Sequence, residues 1–557
     1  MAVAAVDSGD PRQGLPHSER IVTEHSFLAI IRVDYITLAK QGQRMDLDAV
    51  AAIKGFAINV LQVFALVFAF ALVILALYVV YLYLSDISQS KQAIRRNFPV
   101  LGRFRYQFEH LGEFFRQYFF ALDREEMPFN RAQRSWVYRA AKNVDSTLAF
   151  GSTRPLNQPG DILFLNHPFP TLAKDAVPPS EVTLGEGVAR KPYSTRAIFN
   201  ISGMSFGALS VPAVTALSKG AAKAGIWLNT GEGGLSSHHL VGGCDIVFQI
   251  GTAKYGVRDP EGNLSDKKLR NIAAHEQVRM FELKLSQGAK PGKGGILPGI
   301  KVTPEIAQVR GIPVGEDSIS PNGHPEIRDV DSLLDMINHI RDVSGKPTGL
   351  KCVIGSSDWL HELCEAILRR GAQSAPDFIN IDSADGGSGA APQSLMDYMG
   401  LPLNRSLPLV VDLITEYGLR DRIKIICAGK LLTPSMVAWA LAMGADFINC
   451  GRGFMFALGC IQAMQCNKNT CPTGVTTHNP DLQQGLDPID KAERVYHYAR
   501  NLNYEVGTIA HSCGVPEPRQ LRRTHVELIN ERGVPVPITS LAPEGRPSTV
   551  IGTDRTR

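Results

Sequence analysis

A chain of 557 residues with a formal net charge of +4 has room for two or three ordinary domains or for one large barrel with extensions, so core size is not limiting. Nearly balanced charge, with Lys and Arg scattered and no basic stripe interleaved with aromatics, gives no reason to expect a nucleic-acid partner. All nine cysteines lie at or beyond Cys244, an odd number in the part that reads as a compact domain, which argues against a secreted disulfide framework and for reduced thiols in a cytosolic setting.

Residues 1 to about 25 are polar and aperiodic and read as a tail. Phe27 to Leu38 is apolar but interrupted by Arg32 and Asp34 and too short to span, which suits an interfacial or packing helix; both fall in an N-terminal region 1–52. From Phe56 to Leu84 an apolar run is broken only by Asn59 and Gln62. About 20 apolar residues cross a bilayer, so a transmembrane helix is expected over 53–86. A core helix is rarely apolar on every face for so long, and the run starts too far along the chain for a signal peptide. Lys91, Arg95, Arg96, Arg103 and Arg105 follow, with only Asp86 opposing them, whereas the preceding flank mixes Lys40, Arg44 and Lys54 with Asp46 and Asp48. A single-pass protein with its C-terminal bulk in the cytoplasm is expected. Residues 87–180 form an arm rich in Arg, Phe and Tyr that is expected to pack on the barrel or near lipid headgroups, and composition alone gives it no chemistry.

From about residue 195 short β-branched runs alternate with helical stretches: 197–202, 226–230, 246–250, 279–285, 349–354, 377–381, 423–428 and 446–450. Eight such strands predict an α/β protein with a TIM (β/α)8 barrel over 181–480, followed by a helical extension and tail over 481–557. A doubly wound open sheet is the alternative, but its GxGxxG turn is missing after the first strand. In a barrel the chemistry sits on the loops after the strand C-termini, where this chain keeps most of its glycines and unusual polar residues.

Cys460, Cys466 and Cys471 lie close in sequence without a fourth ligand of matching spacing, Cys450 being the near candidate. Three thiolates suit a three-iron cluster better than tetrahedral zinc, while buried free cysteines would give the same pattern. Glycine clusters follow the last three strands at 384–392, 428–430 and 451–453, with Lys430 and Arg452 adding charge, and such loops can surround a phosphate. Lys290 and Arg310 offer fixed charge for a dicarboxylate, and Glu232 offers a carboxylate for proton transfer or for holding an ammonium group. His238 and His239 read as structural.

The stretches GMSFGALS, LNTGEGG, KLSQGAKPGKGGILPG, KVTPEIAQVR, ADGGSGAAP, GLRDRIKI and GCIQAMQCNKNTCPTGV, in this order over about residues 195–480, resemble the FMN-binding domain of glutamate synthase. With the membrane segment and the NFPVLGRFRY and PFNRAQRSWVYRAAK arm, the chain resembles the stand-alone, membrane-anchored FMN-binding glutamate synthase family proteins. The resemblance implies a 3Fe-4S cluster on Cys460, Cys466 and Cys471. It implies FMN over Met204, Ser205 and Gly207, with Gln249 and Lys351 near the ring. Near the phosphate it implies Asp385, Gly386, Gly387, Gly389, Gly429, Lys430, Gly451, Arg452 and Gly453. Glu232, Lys290 and Arg310 correspond to positions around 2-oxoglutarate, with Glu232 and Lys290 catalytic. Ile296 stands where the family has Gln, which removes a hydrogen bond expected to reach the oxo acid.

The expected reaction is reductive amination of 2-oxoglutarate or a related 2-oxo acid to L-glutamate, with ferredoxin as the simplest electron donor because no nicotinamide fingerprint is evident. No N-terminal cysteine nucleophile or glutaminase domain precedes the barrel, so ammonia or an amine would come from solution or from a separate glutaminase subunit. The alternatives are an FMN oxidoreductase for another amino or oxo acid, including one that forms an N-substituted glutamate, and a non-catalytic membrane electron-transfer subunit.

Overall fold

The computed structural model describes residues 47–115, 119–120, 122–145 and 147–538; the polar tail, the Phe27 to Leu38 segment and residues 539–557 lie outside them. The chain divides into two compact units, Met1–Phe120 and Ala121–Arg557, so the arm expected over 87–180 is shared between them.

In the first unit the helix Leu47–Ser88 contains a stretch, Ala51–Ser88, long and apolar enough to cross a membrane, and none of its most apolar window is buried. Asp86, fully buried near its end, accepts hydrogen bonds from Arg95 at 2.6 Å, Arg103 at 2.7 Å and the backbone N–H of Val100 at 3.0 Å. Two guanidinium groups on one carboxylate thus pin the corner through which the chain passes, by way of Ala93–Asn97, into the helix Leu101–Phe115.

The second unit forms all eight expected strands: β1 (Phe199–Ile201), β2 (Leu228–Asn229), β3 (Ile246–Ile250), β4 (Val278–Lys284), β5 (Thr348–Val353), β6 (Phe378–Asp382), β7 (Lys424–Ala428) and β8 (Phe447–Cys450). Each pairs in parallel with its neighbour, and β8 closes on β1, Ile448 beside Phe199 and Asn449 beside Asn200. The sheet is a closed (β/α)8 barrel rather than an open doubly wound sheet.

The two-residue period of the strands sorts the interior into layers. Trp227, Val247, Met280, Phe378, Ile426 and Phe447 form one apolar cluster with Leu184 and Tyr193, which come from a hairpin pairing Val182–Leu184 with Tyr193–Thr195. Two residues further along come Asn229, Gln249, Glu282, Asn380 and Asn449. Here the fully buried Glu282 accepts from Asn229 at 2.9 Å, Gln249 at 2.6 Å and Asn380 at 2.6 Å. Trp227 donates its indole N–H to Asn449 at 3.0 Å, joining the apolar and amide layers. Two residues further again stand Gly231, Gly251, Lys284, Asp382 and Gly451. The strands therefore run from an apolar plug through an amide layer to a rim of glycines and charges.

The helix Val211–Ala224 is capped by Ser210, which accepts from the Ala213 N–H at 3.3 Å, and ends on Gly225 in the left-handed region. It packs on the long helix Pro488–Ser512 at Gly220, where a Cβ would come within 2.5 Å of Val495. The long helix thus takes its place in the barrel's helical ring, and the segment from 459 to 487 precedes it in the chain. Gly220→Leu is expected to destabilise the protein by about 1–3 kcal/mol through overpacking, read as a lower denaturation midpoint at unchanged m value.

Candidate functional site

At the C-terminal ends of the strands a cleft with about 1270 Å³ of empty space, part of it open to solvent, is lined by loops from around the rim. Met204, Ser205, Glu232, Gln249, Lys290, Arg310, Lys351, Gly387, Gly389, Gly429, Lys430, Gly451, Arg452 and Cys466 of the sequence-predicted residues all face it. Gly207, Asp385, Gly386, Gly453, Cys460 and Cys471 are not part of this lining.

One end of the cleft is charged. Glu232, on the 3-10 turn that follows β2, lies 3.1 Å from the ammonium of Lys284, the last residue of β4. Burial pushes the Glu232 carboxyl up, but Lys284, Lys290 and Arg310 outweigh it and hold the group below the usual carboxylate range. Burial, with Lys284 and Lys293 adding repulsion, lowers the Lys290 ammonium against the pull of Glu232. Arg310 ends the helix Pro304–Arg310 and is buried; it donates to the Ser318 hydroxyl and to the Phe206 carbonyl, both at 3.1 Å, and stacks 5.2 Å from the Tyr255 ring centroid. Its Nε has no hydrogen-bond partner among the described residues. Ile296 lines the same end with an exposed apolar side chain.

Space for the Glu232 carboxylate is made by two glycines. A Cβ at Gly295 would stand 2.3 Å from one carboxylate oxygen, and one at Gly251 would stand 2.6 Å from the other. Gly295→Ala is expected to displace the carboxylate and slow turnover about 10–100-fold without loss of fold, checked by steady-state rates beside thermal unfolding.

Across the cleft the lining is glycine. A Cβ at Gly389 would meet nothing within 4 Å, and one at Gly451 only Met204 and Ser202 atoms beyond 3.5 Å, so each leaves room that a side chain would occupy. Lys430 is paired with Asp385 at 2.9 Å, and Arg452 donates to the Ser388 carbonyl at 2.5 Å. Lys351 on β5 lies 3.2 Å from Asp382; burial opposes its charge, but Asp382 and Glu282 raise its affinity for the proton. Gly453 serves packing: a Cβ there would come within 2.1 Å of the Tyr498 hydroxyl and 2.7 Å of Cys450 Sγ. Gly207 takes a positive φ of 103° in the turn that Arg310 holds.

The cysteine loop is tied to the Met204–Leu209 turn. Lys301, buried, donates to the carbonyls of Ala208 at 2.9 Å, Thr476 at 2.9 Å and Cys466 at 3.2 Å, and His478 Nε2 lies 2.9 Å from the Gly207 carbonyl. Burial, with smaller contributions from Cys466 and Cys471, lifts the Cys460 thiol to about 11 against the Gln462 N–H and Arg452. Cys471 is also pushed up by burial, but hydrogen bonds from Thr473 and Thr476 prevail and leave it below the ordinary thiol value. Cys450 belongs to the cleft wall beside the Tyr498 hydroxyl, 3.8 Å away. Among the described residues no three His, Cys, Asp or Glu side chains are gathered closely enough for one metal ion.

Several residues of the site were not singled out in sequence. Lys284 and Asp382 occupy strand ends that read as ordinary core, and only a charged residue closing a buried run hints at them. Residues 126–138 of the arm, expected to pack on the barrel or near lipid, brace the cysteine loop: Tyr138 donates to the Cys460 carbonyl at 2.6 Å, and Gln462 donates to Glu126 at 2.9 Å and to the Phe129 carbonyl at 3.1 Å.

A family model described as a conserved region in glutamate synthase matches residues 173–516. The glutamate synthase large subunit-like protein YerD of Bacillus subtilis (strain 168) is 38% identical over 514 residues, covering 85% of this chain and 97% of that protein. A glutamate synthase large subunit-like protein of Rhizobium meliloti (strain 1021) is 28% identical over 428 residues, 72% of this chain and 93% of that one. The archaeal glutamate synthase (NADPH) of Methanocaldococcus jannaschii is 33% identical over 324 residues, 58% of this chain, which spans only 60% of that relative's length.

Proposed function

Because this chain belongs to the glutamate synthase family, we propose that it is an oxidoreductase that reductively aminates 2-oxoglutarate, or a closely related 2-oxo acid, to the L-amino acid. The observation that carries this reading is one cleft with a Glu232–Lys284–Lys290–Arg310 group at one end and a glycine-lined wall at the other, with Cys466 exposed to it. The overall reaction takes up the oxo acid, ammonium, two electrons and two protons and yields the amino acid and water.

Met204, Ser205, Gln249, Lys351 and the glycines at 387, 389, 429 and 451 would hold FMN, a fit supported by the space a Cβ would fill at Gly389 and Gly451. Cys460, Cys466 and Cys471, carried on one loop that Lys301 ties to the Met204–Leu209 turn, would hold a 3Fe-4S cluster; the hydrogen bonds from Thr473 and Thr476 that favour the Cys471 thiolate suit such a ligand. When bound, FMN supplies hydride chemistry and the cluster one-electron chemistry. Lys290 and Arg310 hold the two carboxylates of the acid, which fixes its C2 in the cleft. Glu232, kept ionised by its three cations, accepts a proton from the incoming ammonium and returns one as the carbonyl oxygen leaves. Lys351, its charge secured by Asp382, would supply a fixed positive charge beside a bound flavin.

The electron donor in this reading is a reduced ferredoxin, and ammonium comes from solution or from a separate glutaminase subunit. The helix Leu47–Ser88 anchors the protein in a membrane, with the barrel on the cytoplasmic side. A second reading keeps the cofactors and changes the acceptor to another oxo acid or a substituted amine; the apolar Ile296 side chain at the substrate end favours it.

The test is anaerobic reduction of the purified full-length protein, followed by a screen for compounds that reoxidise the flavin. Reoxidation by 2-oxoglutarate with ammonium, with glutamate formed, is expected; reoxidation only by other acids favours the second reading, and none by any acid points to a non-catalytic electron-transfer subunit. Absence of both flavin and iron from the protein would end the proposal. Cys466→Ser is expected to lose the iron while retaining FMN, measured by iron analysis and by the flavin released on denaturation.

A further inference from the structure

The helix Leu101–Phe115 carries Leu101, Phe104, Phe108, Leu111 and Phe115 at i, i+3, i+7, i+10 and i+14, which places them on one face. All five are exposed, as is Phe98 just before the helix. An uninterrupted apolar stripe of this length is costly in water and marks a surface that something apolar covers. The opposite side is already engaged: a Cβ at Gly102 would stand 2.7 Å from the Ile94 carbonyl, and Arg103 reaches Asp86. The stripe therefore faces away from the corner at the end of the apolar helix Leu47–Ser88, and the Asp86 ion pairs prevent it from rolling inward.

We propose that this helix lies in the headgroup–acyl boundary of the same membrane that Leu47–Ser88 crosses, with its phenylalanines among the upper acyl chains. The inference rests on the membrane reading given above and adds the surface that contacts lipid. Three observations favour lipid over a protein partner. The stripe begins only 13 residues beyond the end of the apolar span, counting from Ser88 to Leu101. Its phenylalanines suit the interfacial depth of a surface-lying helix. Exposed Lys91 and Arg96 precede the helix and exposed Arg105 lies on it, and basic side chains next to a membrane surface meet lipid phosphates.

The experiment uses the full chain in vesicles of phosphatidylcholine and phosphatidylglycerol, with lipids brominated either high or deep on the acyl chain. Three single variants, Phe108→Trp, Glu109→Trp and Leu72→Trp, are compared with wild type, whose four tryptophans all lie beyond residue 135 and provide the background. Phe108→Trp is expected to lose emission to bromines placed high on the chain, and Leu72→Trp to bromines placed deep, while Glu109→Trp, on the polar face, stays at background. Phe104→Trp repeats the reading one turn earlier. If Leu72→Trp is quenched and Phe108→Trp and Phe104→Trp are not, the span stands and the surface assignment is overturned; blue-shifted but unquenched emission then identifies a protein partner, such as a second copy of this chain. If Leu72→Trp is also unquenched, the membrane reading itself fails and the inference with it.

Discussion

Glu232→Gln is expected to slow amination by about 10²–10⁴-fold while the protein keeps its flavin and its fold. The substitution preserves shape between Gly251 and Gly295 but removes the one negative charge among Lys284, Lys290 and Arg310. Two consequences follow from the same geometry. No carboxylate remains to take a proton from ammonium. The Lys290 ammonium also loses the neighbour that sustains its charge, while burial and Lys284 continue to lower it, so its grip on the acid weakens as pH rises. The measurement is kcat and KM against pH for wild type and variant, with flavin content determined in parallel. A rate within about tenfold of wild type would remove Glu232 from proton transfer, and a loss of bound flavin would make its role structural.

Glu282→Ala is expected to cost about 3–5 kcal/mol of stability, a large fraction of what a folded protein has. Glu282 is fully buried, and its two oxygens take the amide protons of Asn229, Gln249 and Asn380, one from each of three other strands. Truncation leaves those donors unsatisfied in the barrel interior and removes a carboxylate that raises the proton affinity of Lys351. The damage should reach the site, because Gln249 and Lys351 line the cleft. Denaturant unfolding read by fluorescence checks the stability, and flavin retention checks the coupling. A loss below about 1 kcal/mol would mean that water replaces the carboxylate and that the amide layer is not held by Glu282.

The eight strands were legible because each is a short, largely apolar run, most of them rich in β-branched or aromatic residues, a local property that survives packing. The rim loops were legible for the same reason, since glycine and cysteine are chemically conspicuous wherever they fall. Glu282 was not legible: in sequence it is one charged residue inside a strand, and its value arises from three amides brought to it by strands up to 98 residues away. The part that Pro488–Ser512 plays in the helical ring was not legible either, because the cysteine segment separates this helix from its strand. That the arm would pack on the barrel was one of two expectations, but which loop Tyr138 braces was not legible, since the contact joins positions 322 residues apart.

By itself, then, the sequence determined the periodicities: the apolar helix, the alternation of strands and helices and, through them, a barrel with its chemistry at one rim. These follow from side-chain hydrophobicity and backbone propensity, which act over a few residues. Only the tertiary structure decided which charges face one another, so that Glu232 meets Lys284, Lys351 meets Asp382, and Lys301 links the cysteine loop to the Met204 turn. Electrostatic and hydrogen-bonding partnerships depend on distance in space, and closure of the barrel sets that distance.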